Sequence, residues 1–198
     1  DTYEIQENFK LPQSSNIVIF GQDLVPFIKK KVTLGQDFET WTSENLKSSS
    51  GQYLALFGDQ PDFALIFKKD SQPDFEKLKT LKTTEGAYRE ETQDDTNFHL
   101  TQFFTFFQMD DLIFVTSSLD TAKELAKIQK DELPKTSFLN STSKVTFAFV
   151  IKSSPDNKAE NALKFLVGDE QKATNYLEKV KTASFYLSGK QFHGVVEI

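Results

Sequence analysis

Two histidines and two acidic pairs are the residues of this chain whose types could support chemistry. His99 and His193 each fall inside a pattern typical of a β-strand, and Asp94-Asp95 and Asp110-Asp111 flank an aromatic-rich stretch. Histidines beside a carboxylate can bind a metal, and paired carboxylates can hold calcium or exchange protons. Asp is also favoured in turns for its backbone geometry alone. We interpret the histidines as ordinary strand residues and the acidic pairs as turns.

The stretch between the acidic pairs, FHLTQFFTFFQM, predicts one long strand from Phe98 to Met109. A straight strand would hold the two acidic pairs roughly 40 Å apart at about 3.3 Å per residue. The pairs could then not form a single site. Aromatic side chains alternate onto both faces of this strand, so neither face is expected to be fully exposed to water.

The sequence lacks the residues and motifs that several classes of function require. The chain has no cysteine, which excludes disulfides, thiol catalysis and zinc–thiolate sites. It contains no phosphate-binding glycine loop, nucleophile elbow or EF-hand loop. A net charge of −6 argues against a nucleic-acid partner, and the only basic run, Lys29-Lys30-Lys31, ends a predicted helix, where cations stabilise the dipole. We therefore predict a protein that is not an enzyme and uses no metal or cofactor.

The scaffold is predicted by a recurring unit of an apolar strand, a Ser/Asp/Pro turn and an amphipathic helix. In each copy a Ser precedes an Asp by three residues; the pairs are Ser71 and Asp74, Ser117 and Asp120, and Ser153 and Asp156. The copies are unevenly spaced, which excludes a solenoid. Successive strands broken by helices predict an α+β fold with mostly antiparallel sheet and amphipathic helices packed on one side. Two divergent ferredoxin-like halves are an alternative arrangement.

Individual elements follow from the periodicity of the apolar residues. Strands are predicted from Gln52 to Phe57 and from Phe63 to Lys68, joined as a hairpin. Helices are predicted from Gln22 to Val32, where Pro26 shifts the start toward Val25, and from Phe38 to Leu46. A further helix is predicted from Pro73 to Leu81, with Ser71 as its candidate cap. A helical pattern also covers 157–180.

A chain of 198 residues can bury the core of one α+β domain spanning 1–198. The polar segment 132–143 is the predicted linker if the chain divides into sub-halves 1–131 and 144–198. No stretch approaches the roughly 18 apolar residues of a membrane span. The chain begins with Asp1 rather than Met, which fits a precursor whose N-terminal signal or anchor has been removed.

Phenylalanine is unusually frequent, with 20 copies beside 5 Tyr and 1 Trp. This is about twice the number in average globular proteins. Most Phe side chains are expected to fill the core, and the others could line a groove or an interface. The candidate binding residues are Trp41, Phe103, Phe104, Phe106, Phe107, Phe147 and Phe149.

The order of segments resembles a bacterial family known as domain of unknown function 3352. The stretches that carry the resemblance are LPQSSNIVIF, GQYLALFGDQPDFALIFKKDSQPDFEKLKTL, AYREETQ, DDLIFVTSSLDTAKELAKI and ASFYLSGKQFHGVVEI, spread over nearly the whole chain. The resemblance implies an N-terminal membrane anchor with the domain outside the cytoplasm. It implies no catalytic residues, because the shared features are apolar patterns and turns.

Two hypotheses of function follow. The first is a non-catalytic, extracytoplasmic binding module of a bacterial envelope-associated protein, membrane-tethered in its full-length form, whose partner is a protein or an envelope component. The second is a carrier of an apolar, lipid-like ligand in a cavity lined by the Phe-rich strands.

Overall fold

Among the residues that the structure describes, most of the regular structure is β-strand. A computed structural model describes residues 3–4, 10–29, 32–57, 62–133, 135–136, 144–152, 182–188 and 191–197. Within these ranges the strands are β1 (Tyr3–Glu4), β2 (Leu11–Pro12), β3 (Ser15–Gly21), β4 (Gln52–Phe57), β5 (Asp62–Lys68), β6 (Arg89–Gln93), β7 (Thr96–Leu100), β8 (Thr105–Met109), β9 (Leu112–Thr116), β10 (Lys135–Thr136), β11 (Lys144–Val145), β12 (Phe147–Lys152), β13 (Thr182–Ser188) and β14 (Gln191–Glu197). The helices are α1 (Val25–Lys29), α2 (Gln36–Asn45) and α3 (Leu119–Gln129), with a 3₁₀ helix over Glu76–Thr80.

Ten of the strands form one sheet, in the order β14-β13-β12-β3-β4-β5-β9-β8-β7-β6. Every neighbouring pair in it is antiparallel. Two short pairs, β1 with β11 and β10 with β2, lie outside this sheet. The predicted α+β class and antiparallel sheet are confirmed.

Apolar side chains cover both faces of this sheet. Along β3, Ile17 and Ile19 join one buried cluster while Val18 and Phe20 join another, because successive strand residues point to opposite faces. The first face carries α1, α2 and the 3₁₀ helix, and the second face carries α3. The prediction that the helices pack on one side was therefore wrong. Strands that are apolar on both faces, as β3 and β4 are, need a cover on each side.

Local turn chemistry decides where the helices begin. Helix α1 starts at Val25, as the position of Pro26 predicts, and ends at Lys29. The helix predicted from Pro73 to Leu81 is only a 3₁₀ helix, and Ser71 does not cap it. The Asp74 Oδ1 atom instead accepts a hydrogen bond from the Lys77 N–H at 3.1 Å.

In the next copy of the recurring unit a serine side chain does cap the helix. Ser118 caps α3, its Oγ accepting from the Thr121 N–H at 3.2 Å. Ser117 donates to the Asp62 carboxylate at 2.7 Å. The copy at Ser153 lies outside the described residues, as does the helical pattern over 157–180.

The predicted strand from Phe98 to Met109 is in fact a hairpin of β7 and β8. Thr101 makes the turn: its Oγ1 accepts from the N–H groups of Phe103 and Phe104, at 3.2 and 3.1 Å. The Thr101 N–H also donates to the Phe104 carbonyl at 2.9 Å. A hydroxyl bonding to nearby backbone gives the chain an alternative to continuing the strand. No Gly, Pro or Asn marks this turn in the sequence.

The described strands join both predicted sub-halves in one sheet, because β12 pairs with β3. The two ferredoxin-like halves are not confirmed, and the division at 132–143 stays a prediction because most of that segment lies outside the described residues.

Candidate binding surfaces

Four of the seven candidate aromatic residues lie deep in the core. Trp41, Phe104 and Phe106 belong to the cluster on the first face, and Phe107 belongs to the cluster on the second. Trp41 is fully buried, and its Nε1–H donates to the Asp74 carbonyl at 2.8 Å. The region around Trp41 is therefore not the exposed aromatic surface that the sequence analysis considered.

The predicted Phe-lined cavity has no support among the described residues. Phe106 and Phe107 point to opposite faces of the sheet, so they cannot line one cavity. Phe104 and Phe106 meet edge to face, with ring centroids 6.2 Å apart, as packed aromatic residues do. Phe103 is partly buried against the same cluster. These aromatic side chains fill the core, and the carrier hypothesis stays a prediction.

Phe147 is the candidate that reaches the surface, and Phe149, which is partly buried against the first cluster as Phe103 is, lies on the same strand face. We define the terminal patch as the residues that share the first face of the sheet near its β14 end: Phe147, Phe149, Phe185, Leu187 and Val196. The rings of Phe149 and Phe185 stack at 6.5 Å. Phe147 is 37% exposed and Val196 is 47% exposed. The patch is therefore a partly exposed apolar surface that continues to the end of the sheet.

Strand β14 ends the sheet on that side, and within the described residues it pairs only with β13. Residues in the second half of β14 are exposed to solvent. Val195, on the opposite face from Val196, is 68% exposed, and Gly194 is exposed as well. An edge strand presents a row of backbone N–H and C=O groups that can pair with another chain. The strand pattern of β14 is recognisable in the sequence, but its position at the edge of the sheet is not.

The opposite edge, β6, is also exposed but carries charged side chains that form ion pairs. Glu91 pairs with Lys123 of α3, and Glu90 pairs with Lys79 at 2.9 Å. Glu90 also accepts a hydrogen bond from the Tyr88 hydroxyl at 2.6 Å, and that hydroxyl lies 2.8 Å from His99 Nδ1. The ion pair with Lys79 lowers the pKa of Glu90, and burial raises the pKa of Tyr88.

His99 belongs to this network. Its ring stacks on Phe75 with centroids 4.4 Å apart, and burial lowers its pKa. His193 lies on β14, eight strands away and so about 40 Å distant at about 4.8 Å per strand. No group of three or more metal-ligating side chains occurs in the part of the chain that the structure describes.

The two acidic pairs lie in turns at the same end of the strands β6 to β9, and not at opposite ends of one long strand as predicted. The β7–β8 hairpin returns the chain, so the turns after β6 and after β8 are both at that end. Asp94, Asp95 and Asp110 all have positive φ values, and Asp111 pairs with Lys68 at 2.8 Å. These residues serve turn geometry, as the sequence analysis interpreted them.

A polar cleft opens beside α1. It has a volume of about 600 Å³ and lies between α1, the end of α2, and the segment that leads into β4. The lining residues are Gln22, Asp23, Val25, Pro26, Lys29, Thr42, Ser43, Leu46, Lys47, Ser48, Ser49, Gln52 and Asp70. None of the seven candidate aromatic residues lines it. Sequence reasoning missed the cleft because its residues come from separate segments and form no motif.

Buried Gln52 joins the two walls of this cleft. Its Oε1 accepts from the Leu24 N–H at 2.6 Å, and its Nε2 donates to the Leu46 carbonyl at 2.7 Å. The preceding residue, Gly51, has a φ of 86°, and a Cβ there would lie 2.6 Å from the Phe20 ring. The start of α1 and the end of α2 are thus fixed to β4 without a ligand.

Comparisons with known proteins show the fold. Crystal forms I, III and IV of TP0453 resemble the chain with TM-scores of 0.55, 0.52 and 0.52 and identities of 12%, 11% and 9%. They cover 91%, 91% and 92% of this chain, and 72%, 74% and 75% of the TP0453 chain. No protein-family model and no curated protein matches the sequence. Within the described residues, no helix is long and apolar enough to cross a membrane.

Proposed function

We propose that the protein is a non-catalytic binding module that pairs an extended segment of a partner protein with the edge strand β14. The observation that carries this proposal is the contrast between two exposed edges: β14 presents the exposed valines Val195 and Val196, whereas β6 presents glutamates held in ion pairs. A partner strand added to an exposed edge gains main-chain hydrogen bonds, and pockets for alternate side chains give specificity.

The terminal patch supplies the apolar part of this surface. A strand added beyond β14 would project every second side chain onto the first face, next to Val196 and within reach of Phe185. The partner segment should therefore alternate apolar and polar residues. Phe147 and Phe149, two of the predicted binding residues, lie further along the same face.

Crosslinking at matched positions on the two edges tests the proposal. A photo-reactive residue at Val196 on β14 is compared with one at exposed Thr92 on β6, both in the protein produced in its own cells. We expect a discrete adduct from position 196 and none from position 92. Val195→Lys in the Val196-labelled protein should remove the adduct, because a charge on an edge strand opposes pairing.

The control for that substitution is Thr92→Lys, which adds the same charge to the other edge. Equal adducts at positions 92 and 196, or an adduct at 196 that survives Val195→Lys, would refute strand addition at β14.

The proposal includes an extracytoplasmic location in a bacterial envelope, with the full-length protein tethered to the membrane. The resemblance to the domain of unknown function 3352 family supports this part. Protease treatment of intact cells and of lysed cells tests it: the domain should be cut when only the outer permeability barrier is opened. Protection until the cytoplasmic membrane is broken would contradict the proposed location.

A further inference from the structure

The polar atoms that line the cleft beside α1 fall into two groups. Most are already used within the protein: Ser49 donates through both its N–H and its hydroxyl to the Asp70 carboxylate, each at 2.7 Å. Ser48 donates to the Lys68 carbonyl at 2.8 Å, and Gln52 uses both ends of its amide. The hydroxyls of Thr42 and Ser43 bond to backbone carbonyls of α2. These groups build the walls and have little capacity left for a ligand.

The ammonium groups of Lys29 and Lys47 form the second group. Neither makes an ion pair or a hydrogen bond with any described residue, whereas five other lysines pair with carboxylates: Lys10, Lys68, Lys77, Lys79 and Lys123. The Asp23 side chain, on the same cleft, also has no partner within the described ranges. The cleft therefore brings together unpaired charges in a protein whose net charge is −6.

The walls that carry these charges are fixed before any ligand arrives. Lys29 ends α1, and Lys47 follows the last turn of α2. Gln52 holds the start of the first helix and the end of the second, and Gly51 lets the connecting chain pass against Phe20. Because the backbone of these walls is already fixed, binding would have to order only the lysine side chains and not the surrounding chain.

We propose that this cleft binds a small polar molecule through an anionic oxygen group, either a carboxylate or a phosphate, held by the ammonium groups of Lys29 and Lys47. A lysine ammonium is a point charge, which binds either group without selecting between them. The Asp23 carboxylate accepts a hydrogen bond from an N–H or O–H of the same ligand. A volume of about 600 Å³ is within the range of small-molecule sites. This site is separate from the proposed strand addition, because no residue of β14 lines it.

The test is a titration of ¹⁵N-labelled protein followed by amide NMR, with sodium glutamate as the carboxylate probe and glycerol phosphate as the phosphate probe. We expect saturable shifts at the amides of 22–29 and 46–52 with at least one probe. Shifts with both probes would show that the site accepts either anionic group. Shifts with only one probe would show whether the group that binds is a carboxylate or a phosphate. Lys29→Gln and Lys47→Gln should each weaken binding about fivefold, as expected for the loss of roughly 1 kcal/mol.

Lys82→Gln is the matched control, because Lys82 is exposed and lies outside the cleft. It should leave the affinity unchanged, and the amide spectra of all three variants report whether they are folded. The proposal is overturned if neither probe gives saturable shifts, if sodium chloride at equal ionic strength reproduces them, or if both cleft variants bind as tightly as the unmodified protein.

Discussion

The two ends of the ten-stranded sheet are built in different ways. At the β6 end, aromatic side chains are fully buried on both faces, and Glu90 and Glu91 are engaged in ion pairs. At the β14 end, Phe147 and Val196 remain partly exposed, and the edge carries valines on both faces. The charged side chains of the first edge disfavour the addition of a further strand, and the apolar side chains of the second edge do not. The two edges of the sheet thus differ in the charge and the packing of their side chains.

The largest expected difference between the two ends is in the cost of removing a Phe. Phe107 is fully buried and stacks on Phe114 with centroids 4.4 Å apart, so Phe107→Ala should lower the free energy of unfolding by about 3–5 kcal/mol. Phe147→Ala should cost about 1 kcal/mol or less, because the side chain is already partly in water. Urea denaturation of both variants measures the difference. Equal losses would show that the β14 end is as tightly packed as the β6 end.

The next effect concerns the hydrogen-bond network beside β6. Tyr88→Phe removes the hydroxyl that bonds to Glu90 and lies against His99, and should destabilise the protein by about 1–2 kcal/mol. A double-mutant cycle with Glu90→Gln isolates the coupling between the two side chains. If the two substitutions are additive, the network contributes no coupling energy and the stability of the β6 end rests on packing alone.

The stability of the β6 end should also depend on pH through His99. Burial lowers its pKa below 6.5 in the folded state, so below pH 6.5 the unfolded chain binds a proton that the folded chain does not. Glu90 and Glu76 oppose this shift and Lys79 adds to it, but burial is the largest cause. Stability should therefore be constant just above pH 6.5 and fall as the pH drops below it.

Urea midpoints measured between pH 7.5 and 5 test this dependence, with His99→Gln as the comparison. The urea midpoint of the variant should change less between pH 7.5 and 5 than that of the unmodified protein. A profile identical to that of the unmodified protein would assign the pH dependence to other groups.

The smallest expected effect is a gain in stability. Asp94 and Asp95 have φ values of 50° and 60° in the two-residue turn between β6 and β7. Asn-Gly is the sequence that such a turn favours, so Asp94→Asn with Asp95→Gly should stabilise the protein by about 0.5–1 kcal/mol. Thermal unfolding of the double variant measures the gain. A loss would mean that the two carboxylates contribute more than turn geometry.

Strand positions followed from the sequence wherever apolar runs were bounded by clear turns. Strand β4 spans the predicted residues, and β5 begins one residue earlier than predicted. The hairpin within FHLTQFFTFFQM could not be recognised, because Thr101 makes its turn with a hydroxyl while the apolar pattern continues on both sides. The second helix-bearing face was missed for a related reason: a fully apolar strand does not show how each face is covered.

The candidate surfaces were less predictable than the fold. Phe38 and Trp41 are three residues apart on α2 and share its buried side, a spacing that indicates a core position more than a surface one. Phe147 and Phe149 reach the terminal patch, but their exposure depends on which strand ends the sheet. The cleft depends on Gln52 contacting Leu24, an interaction between separate segments that no local pattern encodes.

The position of β3 in the middle of the sheet has a consequence for synthesis on the ribosome. Val18 pairs with Val150 and Ile19 with Phe149, so this side of β3 has no neighbour until β12 has been translated, more than 120 residues later. The strand is apolar on both faces, and an apolar strand with an unpaired edge is prone to aggregate until its partner strand has been synthesised. The nascent chain should therefore be most dependent on chaperones between the synthesis of β3 and that of β12.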